Sequence, residues 1–179
     1  MCRLTTADAP AELLAGLDMA AYDAIGPIML AESDDGYNVL VGSRPEHVVT
    51  FGSYAQHPNI YVRNMNSHAA GRYQWMPDTW NPIRLRLKLP DFSPRSQDLG
   101  CLELFRERLA IPDFMAGHVN AAIIRLAPVW ASFPGAGYHQ PERRANELID
   151  AYHAALRKHK ADFSNVESGA VSTAPKPGE

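Results

Sequence analysis

Glu32 is the residue whose position along the chain best suits acid–base chemistry. It follows the apolar residues of the segment Ile25–Ala31, at the predicted end of a helix, and it precedes the polar turn Ser33–Gly36. Burial beside apolar side chains and the negative end of a helix dipole both favour the protonated carboxyl group. A carboxylic acid that stays neutral near pH 7 can serve as a general acid. Position alone also allows a second interpretation, a surface glutamate at a helix end.

The sequence contains none of the other common catalytic patterns. Its seven histidines are scattered, without His-Glu-x-x-His or Cys-x-x-Cys spacing, so a zinc site is not expected. No Gly-x-Ser-x-Gly segment is present for a serine nucleophile. The pair of glycines in Gly135-Ala136-Gly137 lacks the third glycine of a dinucleotide-binding loop. These absences disfavour a zinc amidase or peptidase, a serine hydrolase and a dinucleotide-binding enzyme.

Composition restricts the partners and the compartment. The formal charge of −3 and the pI near 6.1 provide no basic field for nucleic acid. The N-terminal twenty residues lack the apolar run of a signal peptide, and no apolar run in the chain approaches the roughly 18 residues that span a bilayer. Cys2 and Cys101 are expected to remain reduced thiols. These features predict a soluble protein without membrane insertion, and nothing in the sequence requires more than a monomer.

The predicted secondary structure changes from a helix before Glu32 to short strands after it. The segment Ala9–Ala31 is rich in Ala, Leu, Ile and Met and predicts a helix, which Gly26-Pro27 must bend or interrupt. Glycines and prolines then divide residues 33–74 into short pieces. Three of these pieces have the β-branched and aromatic composition of strands and predict a small antiparallel β-lobe: Tyr37–Val41, Val48–Phe51 and Ile60–Val62.

Helices are predicted again from Pro77 onward. One runs to about Leu87, and a second begins after the N-cap pair Ser93-Pro94 and runs to about Leu109. A buried face of the second helix is predicted for four residues at helical spacing: Leu99, Leu102, Phe105 and Leu109. A short helix over Val119–Leu126 follows, then a turn-rich segment, and a last helix that opens at Pro141 and ends near Lys158. Its buried side should carry Leu148, Ile149, Tyr152 and Leu156.

The order of a helix, a β-lobe and several helices predicts an α+β fold, mainly helical, with a substrate cleft beside the β-lobe. We expect one catalytic domain over residues 1–160. Residues 161–179 are rich in Ser, Gly, Ala and Pro and predict a disordered tail.

Several blocks of the sequence resemble lambda-type phage endolysins, which are lysozyme-like lytic transglycosylases. Glu32-Ser33 at a helix end, Gly36-Tyr37 and Ala70-Gly71-Arg72-Tyr73-Gln74 carry part of the resemblance. The rest lies in the blocks Val39–Gly42, Asp91–Asp98 and Trp130–Tyr138. The blocks occur in the order typical of the family and span roughly residues 18–158.

The resemblance implies cleavage of peptidoglycan between N-acetylmuramic acid (MurNAc) and N-acetylglucosamine (GlcNAc). Glu32 would protonate the bridging oxygen and then accept the proton of the MurNAc C6 hydroxyl, which attacks C1 and leaves a 1,6-anhydromuramoyl end. The implied reaction requires no metal or organic cofactor. Substrate contacts are expected from Tyr37, Asn38, Gln74 and Tyr138. The alternatives are a water-facing residue at a helix start for Gln74 and a turn-packing aromatic for Tyr138.

Other aromatic and basic residues allow two interpretations. Trp75, Trp80 and Trp130 could stack on sugars or belong to the core. Arg72 and Tyr73 are interpreted as structural. The basic stretch Arg84, Arg86 and Lys88 is interpreted as a solvated helix face, with attraction to an anionic cell wall as the alternative.

Two functional alternatives remain open. A hydrolytic muramidase of the same fold would need a second carboxylate, for which Asp34 and Asp35 are candidates that also fit a polar turn. Relatives often carry Asp after the Gly-Tyr pair, where this sequence has Asn38. The other alternative is a wall-binding or phage-structural module that no longer cuts. As an endolysin, the protein would accumulate in the host cytoplasm and reach the wall through a membrane pore made by another protein.

Overall fold

Short antiparallel pairings form the β region, which comprises the described residues 36–43 and 47–75. The computed structural model describes residues 36–43, 47–138, 142–150, 152–154 and 157; the predicted helix Ala9–Ala31 lies outside this part of the chain. Isolated antiparallel bridges join Val39 to Thr50 and Leu40 to Ala70. The backbone N–H of Leu40 donates to the Val49 carbonyl (2.8 Å), and that of Gly71 donates to the Val39 carbonyl (2.8 Å). The segment around Val39 therefore lies between two neighbours. The predicted antiparallel character of the β-lobe is confirmed, and the structure shows that Tyr37–Val41 pairs with Val48–Phe51.

The third predicted strand, Ile60–Val62, has a different partner. Val62 pairs with Ser67 of its own hairpin, which turns through a 3-10 helix at Arg63–Met65. A second tight turn follows, in which Ala70 pairs with Trp75 across residues 71–74.

Two helices after the β region begin where the sequence predicts. Helix α1 spans Pro77–Leu87 and helix α2 spans Pro94–Glu107, each with proline in its first turn. The hydroxyl of Ser93 accepts a hydrogen bond from the backbone N–H of Ser96 (3.4 Å), which satisfies one of the free donors at the start of α2. Leu99, Leu102 and Phe105 are buried, as their helical spacing predicts.

Leu109 was expected on the buried face of α2, and this prediction is wrong. The helix ends at Glu107, and Leu109 adopts a left-handed conformation (φ 56°) with 65% of its surface exposed. The backbone N–H of Ala110 donates to the carbonyl of Phe105 (2.9 Å), so the chain turns back on itself and Ala110 becomes fully buried instead. The spacing of apolar residues cannot predict this reversal, because the reversal depends on where the helix ends.

Two short helices complete the region after α2. Helix α3 (Ile111–Met115) was not predicted, whereas α4 (Val119–Leu126) has the predicted bounds. Residues 145–150 and 152–154 are also helical.

The last helix begins at residue 145 rather than at Pro141. Residues 142–144 are not helical because their polar groups bond elsewhere: the Glu142 carboxylate accepts from the backbone N–H groups of Gly135 (2.8 Å) and Gly137 (3.2 Å). Arg143 N–H donates to the Ser132 carbonyl (2.6 Å). Leu148 and Tyr152 are buried as predicted, while Leu156 lies outside the described residues.

One hydrophobic core joins the β region to the helices. It includes Leu40, Phe51 and Ala70 from the β region together with side chains from α1, α2, α3, α4 and the last helical segment. Within the described ranges, no helix is long and apolar enough to cross a membrane. The single core and the antiparallel β region confirm the predicted mainly helical α+β class.

Candidate active site

The structure describes four of the five residues predicted to form the site. Tyr37, Asn38, Gln74 and Tyr138 are described, whereas Glu32 lies outside the described residues, as do Asp34 and Asp35. Tyr37 is five positions after Glu32 in the sequence and is the described residue of the predicted site that lies nearest to Glu32 along the chain.

Tyr37 is bound to a buried carboxylate on α2. Its hydroxyl donates to Asp98, with the oxygen 3.0 Å from Oδ1 and 3.2 Å from Oδ2, and the hydroxyl of Tyr73 donates to the same Oδ1 at 2.5 Å. Asp98 is only 6% exposed. Two charge-assisted hydrogen bonds therefore offset part of the cost of burying this carboxylate.

Electrostatics keep both phenols protonated. Burial first, and then the negative charge of Asp98, raise the pKa values of Tyr37 and Tyr73. Arg72 opposes this effect, and its guanidinium carbon lies 5.0 Å from the centre of the Tyr37 ring, in cation–π geometry. Tyr37 consequently acts as a hydrogen-bond donor to Asp98 rather than as a base.

Gln97, adjacent to Asp98 on α2, connects three segments of chain. Its Oε1 accepts from the backbone N–H of Arg72 (3.0 Å), and its Nε2 donates to the carbonyls of Tyr37 (2.9 Å) and Phe92 (2.8 Å). Both donor hydrogens of this fully buried amide are thus used. Neither Gln97 nor Asp98 is among the site residues predicted from the sequence. Both lie in the block Asp91–Asp98, but nothing in the local pattern separates a buried polar residue near a helix start from an exposed one.

Gln74 supports a turn of the β region, and Asn38 lies opposite Phe51 where two segments of that region pair. Gln74 has φ 50°, and its Nε2 donates to the Gly71 carbonyl (2.9 Å) within the turn 71–74. It therefore precedes α1 and is not the first-turn residue that the alternative interpretation supposed. Asn38 Nδ2 lies 3.5 Å from the Phe51 carbonyl, beside the backbone bond from Phe51 N–H to the Asn38 carbonyl (2.9 Å).

Tyr138 belongs to a separate turn. Its hydroxyl donates to the Pro128 carbonyl (2.8 Å), and the side chain is 51% exposed. The hydroxyl is therefore used in holding the ring, and the ring surface is what faces solvent. The structure gathers Tyr37, Arg72, Tyr73 and Asp98 into one cluster, to which Tyr138 does not contribute a hydrogen bond.

The tryptophans are core residues. Trp75, Trp80 and Trp130 are 2%, 0% and 5% exposed, so the sugar-stacking interpretation is wrong for all three. The indole N–H of Trp130 donates to the Tyr73 carbonyl (3.1 Å), which holds the backbone of the motif that contains Gln74. Arg72 and Tyr73, each 6% exposed, have the buried positions that a structural role requires. Among the described residues, no three His, Cys, Asp or Glu side chains are placed to hold a metal ion.

Comparisons with known proteins define first the class and then the family. The structure matches that of bacteriophage lambda lysozyme complexed with a chitohexasaccharide, with a TM-score of 0.70 and 34% identity over 78% of this chain and 95% of that one. A second structure of lysozyme from bacteriophage lambda gives a TM-score of 0.65 at 32% identity. The fold is therefore that of a lysozyme.

A family model described as Endolysin matches residues 14–158, and the chain belongs to the endolysin family. It is 41% identical to the endolysin of Escherichia phage lambda over 123 residues, and this alignment covers 67% of this chain and 75% of the relative. It is 39% identical to the endolysin of Escherichia phage P2 over 128 residues, and this alignment covers 67% of this chain and 78% of the relative. The family suggested by the sequence blocks is confirmed.

Proposed function

We propose that this endolysin cuts the β-1,4 bond between MurNAc and GlcNAc in bacterial peptidoglycan by intramolecular transglycosylation. The observation that carries the proposal is the likeness to a lysozyme whose structure contains a chitohexasaccharide, a β-1,4-linked amino-sugar chain. The match to the endolysin family also includes the segment with Glu32.

In the proposed reaction Glu32 acts twice. As an acid it donates its proton to the bridging oxygen while the bond from MurNAc C1 to that oxygen breaks. As a carboxylate it then accepts the proton of the MurNAc C6 hydroxyl, whose oxygen bonds to C1. The proton gained in the second step restores the acid, so no water is consumed and no cofactor is needed.

The charge distribution of the β region favours this mechanism over hydrolysis. A hydrolytic enzyme normally needs a second carboxylate about 5–10 Å from the acid, as nucleophile or as base for water. The described residues 36–43 and 47–77 contain no Asp or Glu. The position after the Gly-Tyr pair is Asn38, whose amide faces the Phe51 carbonyl, where a carboxylate would be repelled.

Asp98 is a poor substitute for that second carboxylate. It is buried and accepts hydrogen bonds from two tyrosine hydroxyls, so its charge is already committed to holding Tyr37 and Tyr73. A base that must approach a water molecule needs a free lone pair and access to solvent. A single-acid mechanism remains the simplest use of these residues.

Tyr37, Asn38, Gln74 and Tyr138 are proposed to contribute to substrate binding, Gln74 and Tyr138 by direct contact and the other two by positioning. Because Nε2 of Gln74 bonds to Gly71, its Oε1 is the atom suited to accept from an N-acetyl N–H. Tyr138 would present its exposed ring surface to the apolar face of a sugar. Tyr37 and Asn38 would act mainly by fixing the chain that follows Glu32. We further propose that the protein reaches the wall from the host cytoplasm through a membrane pore made by another protein.

The test is mass spectrometry of fragments released from purified peptidoglycan. We expect muropeptides that end in anhydromuramic acid and are lighter by one water than reducing ends. Reducing ends would refute transglycosylation while keeping lysozyme-type cleavage, and Asp34 and Asp35 would then be the candidates for activating water. An absence of cleaved sugars would refute the proposed function.

The variant Glu32→Gln should release no fragments while it retains the fold and wall binding of the parent. Asp150→Asn is the matched control, because it makes the same change of carboxylate to amide at an exposed position of the last helical segment. Near-normal turnover by a correctly folded Glu32→Gln variant would remove Glu32 from the mechanism.

A further inference from the structure

The basic residues of α1 have different surroundings. Arg86 forms ion pairs with Glu103 (3.2 Å) and Glu107 (2.5 Å) of α2. Lys88 ends α1 in a left-handed conformation and is exposed. Arg84 is half-buried, and within the described residues no carboxylate pairs with it. Arg84 instead lines an open pocket between α1 and the loop 55–59.

The pocket has a volume of about 290 Å³ and a polar lining without any Asp or Glu. The helix contributes Trp80, Asn81 and Arg84, of which Arg84 follows Asn81 by three positions and Trp80 by four and so lies one turn further along α1. The loop contributes Gln56, His57 and Asn59.

His57 shapes this loop without serving as a ligand group. Its Nε2 donates to the Trp75 carbonyl (2.7 Å), and its Nδ1 accepts from the backbone N–H of Asn59 (3.1 Å). Both ring nitrogens are therefore used. Asn59 adopts φ 49° next to it, which sets the position of the loop against α1.

The groups left for a ligand are one guanidinium and three side-chain amides. The side chains of Gln56, Asn59 and Asn81 make no hydrogen bond within the described part of the chain, and the buried indole nitrogen of Trp80 likewise has no partner there. A guanidinium with no carboxylate of its own suits an anion, and it can bind a carboxylate through two N–H groups. Side-chain amides complement the N–H and C=O groups of a peptide.

We propose that this pocket binds the acidic peptide stem of peptidoglycan, with Arg84 on a stem carboxylate and the amides on peptide groups. The inference rests on the proposed function, because it assigns a second recognition element to the same substrate. The protein would then bind both the glycan strand and the peptide attached to it, and would prefer peptide-bearing glycan to bare glycan.

The test compares two forms of one substrate: intact sacculi and the glycan strands left after an amidase removes the peptides. For Arg84→Gln we expect KM on intact sacculi to rise roughly fivefold to tenfold with kcat nearly unchanged, because a charge-assisted contact made equally in ground and transition states is lost. On stripped strands the variant and the parent should agree within about twofold. Arg95→Gln, which removes an exposed arginine from α2, is the control and should match the parent on both.

Asn81→Asp is a second variant that does not depend on deleting Arg84. It places a carboxylate three positions before Arg84 on α1, where it would pair with the guanidinium and repel an acidic ligand. It should raise KM on sacculi as Arg84→Gln does. Equal losses on both substrates, or no loss on sacculi, would overturn the assignment of the peptide stem.

Binding distinguishes failure of this inference from failure of the proposed function. Sedimentation with sacculi in the Glu32→Gln background measures affinity without turnover. If the parent releases no fragments, the proposed function fails, while weaker binding by Arg84→Gln to sacculi alone would still support the pocket. If the parent cleaves and Arg84→Gln binds both substrates like the parent, the pocket assignment fails alone.

Discussion

At the scale of single residues, buried polar side chains hold the chain beside the proposed acid. Asp98 accepts from two tyrosine hydroxyls, and Gln97 bonds to three backbone groups. Removing one partner of such a bond leaves a buried group unsatisfied, which costs about 1–3 kcal/mol. The chain at Tyr37 is thus fixed to α2.

His57 is a buried histidine whose two hydrogen bonds require the neutral ring. Protonation of Nδ1 would break the bond from Asn59 N–H, and burial lowers the pKa of His57. The unfolded chain, with a pKa near 6.5, therefore takes up this proton before the folded protein does. The contribution of His57 to stability is complete above the unfolded value and is lost as the pH falls below it. We predict that the free energy of unfolding decreases between pH 7.5 and pH 5.5.

Urea unfolding at a series of pH values measures this effect. In His57→Gln the decrease over that interval should be smaller, although stability at pH 7.5 also falls because the contact of the ring with Phe92 (4.8 Å between centres) is lost. His118→Gln, which removes an exposed imidazole, is the surface control. An identical pH dependence in the parent and His57→Gln would show that His57 does not cause it.

At the scale of elements, the turn 71–74 can approach α2 only because residue 71 is glycine. Gly71 has φ 78°, and a Cβ atom there would lie 2.9 Å from Cδ of Gln97 and would overlap its Oε1. Gly137 has a similar φ of 76°, but a Cβ there would meet nothing within 4 Å. An alanine at position 137 would therefore cause backbone strain alone, whereas an alanine at position 71 would cause the same strain and also collide with Gln97.

We predict that Gly137→Ala lowers the free energy of unfolding by about 1–2 kcal/mol, the cost of a left-handed alanine. Gly71→Ala should add about 1–3 kcal/mol for the forced displacement of Gln97. Chemical denaturation of both variants checks the difference. Equal losses would mean that Gln97 moves away without cost, and the role assigned to its hydrogen bonds would be wrong.

The elements also show what the sequence could predict. Helices α1, α2 and α4 were predicted with useful bounds because prolines, the Ser93 cap and apolar spacing are local signals. The exposure of Leu109 and the late start of the last helix depend on contacts between distant segments. The same is true of the site: the motif with Gln74 was recognised, but Gln97 and Asp98 matter only because α2 packs on the β region.

At the scale of the whole molecule, one core unites the β region with the helices, and the family match covers residues 14–158. Damage to the packing of α1 should therefore also affect the β region, because α1 contributes an aromatic side chain that packs on a ring of the β region. Trp80, for example, packs on Phe92 (4.9 Å between ring centres) and on Trp75 (5.1 Å). Residues that can be removed without loss of function are therefore expected outside the family match.

Residues 161–179 are the segment that we expect to be dispensable. They follow the family match and are rich in Ser, Gly, Ala and Pro, a composition with too few apolar side chains to offset the entropy of ordering the chain. We predict that truncation after Lys160 leaves Tm and the rate of fragment release from sacculi nearly unchanged. Thermal unfolding and the muropeptide assay on the truncated and full chains measure the two properties separately. A large fall in Tm would show that the segment docks on the domain, whereas an unchanged Tm with slower release from sacculi would assign it a role in reaching the wall.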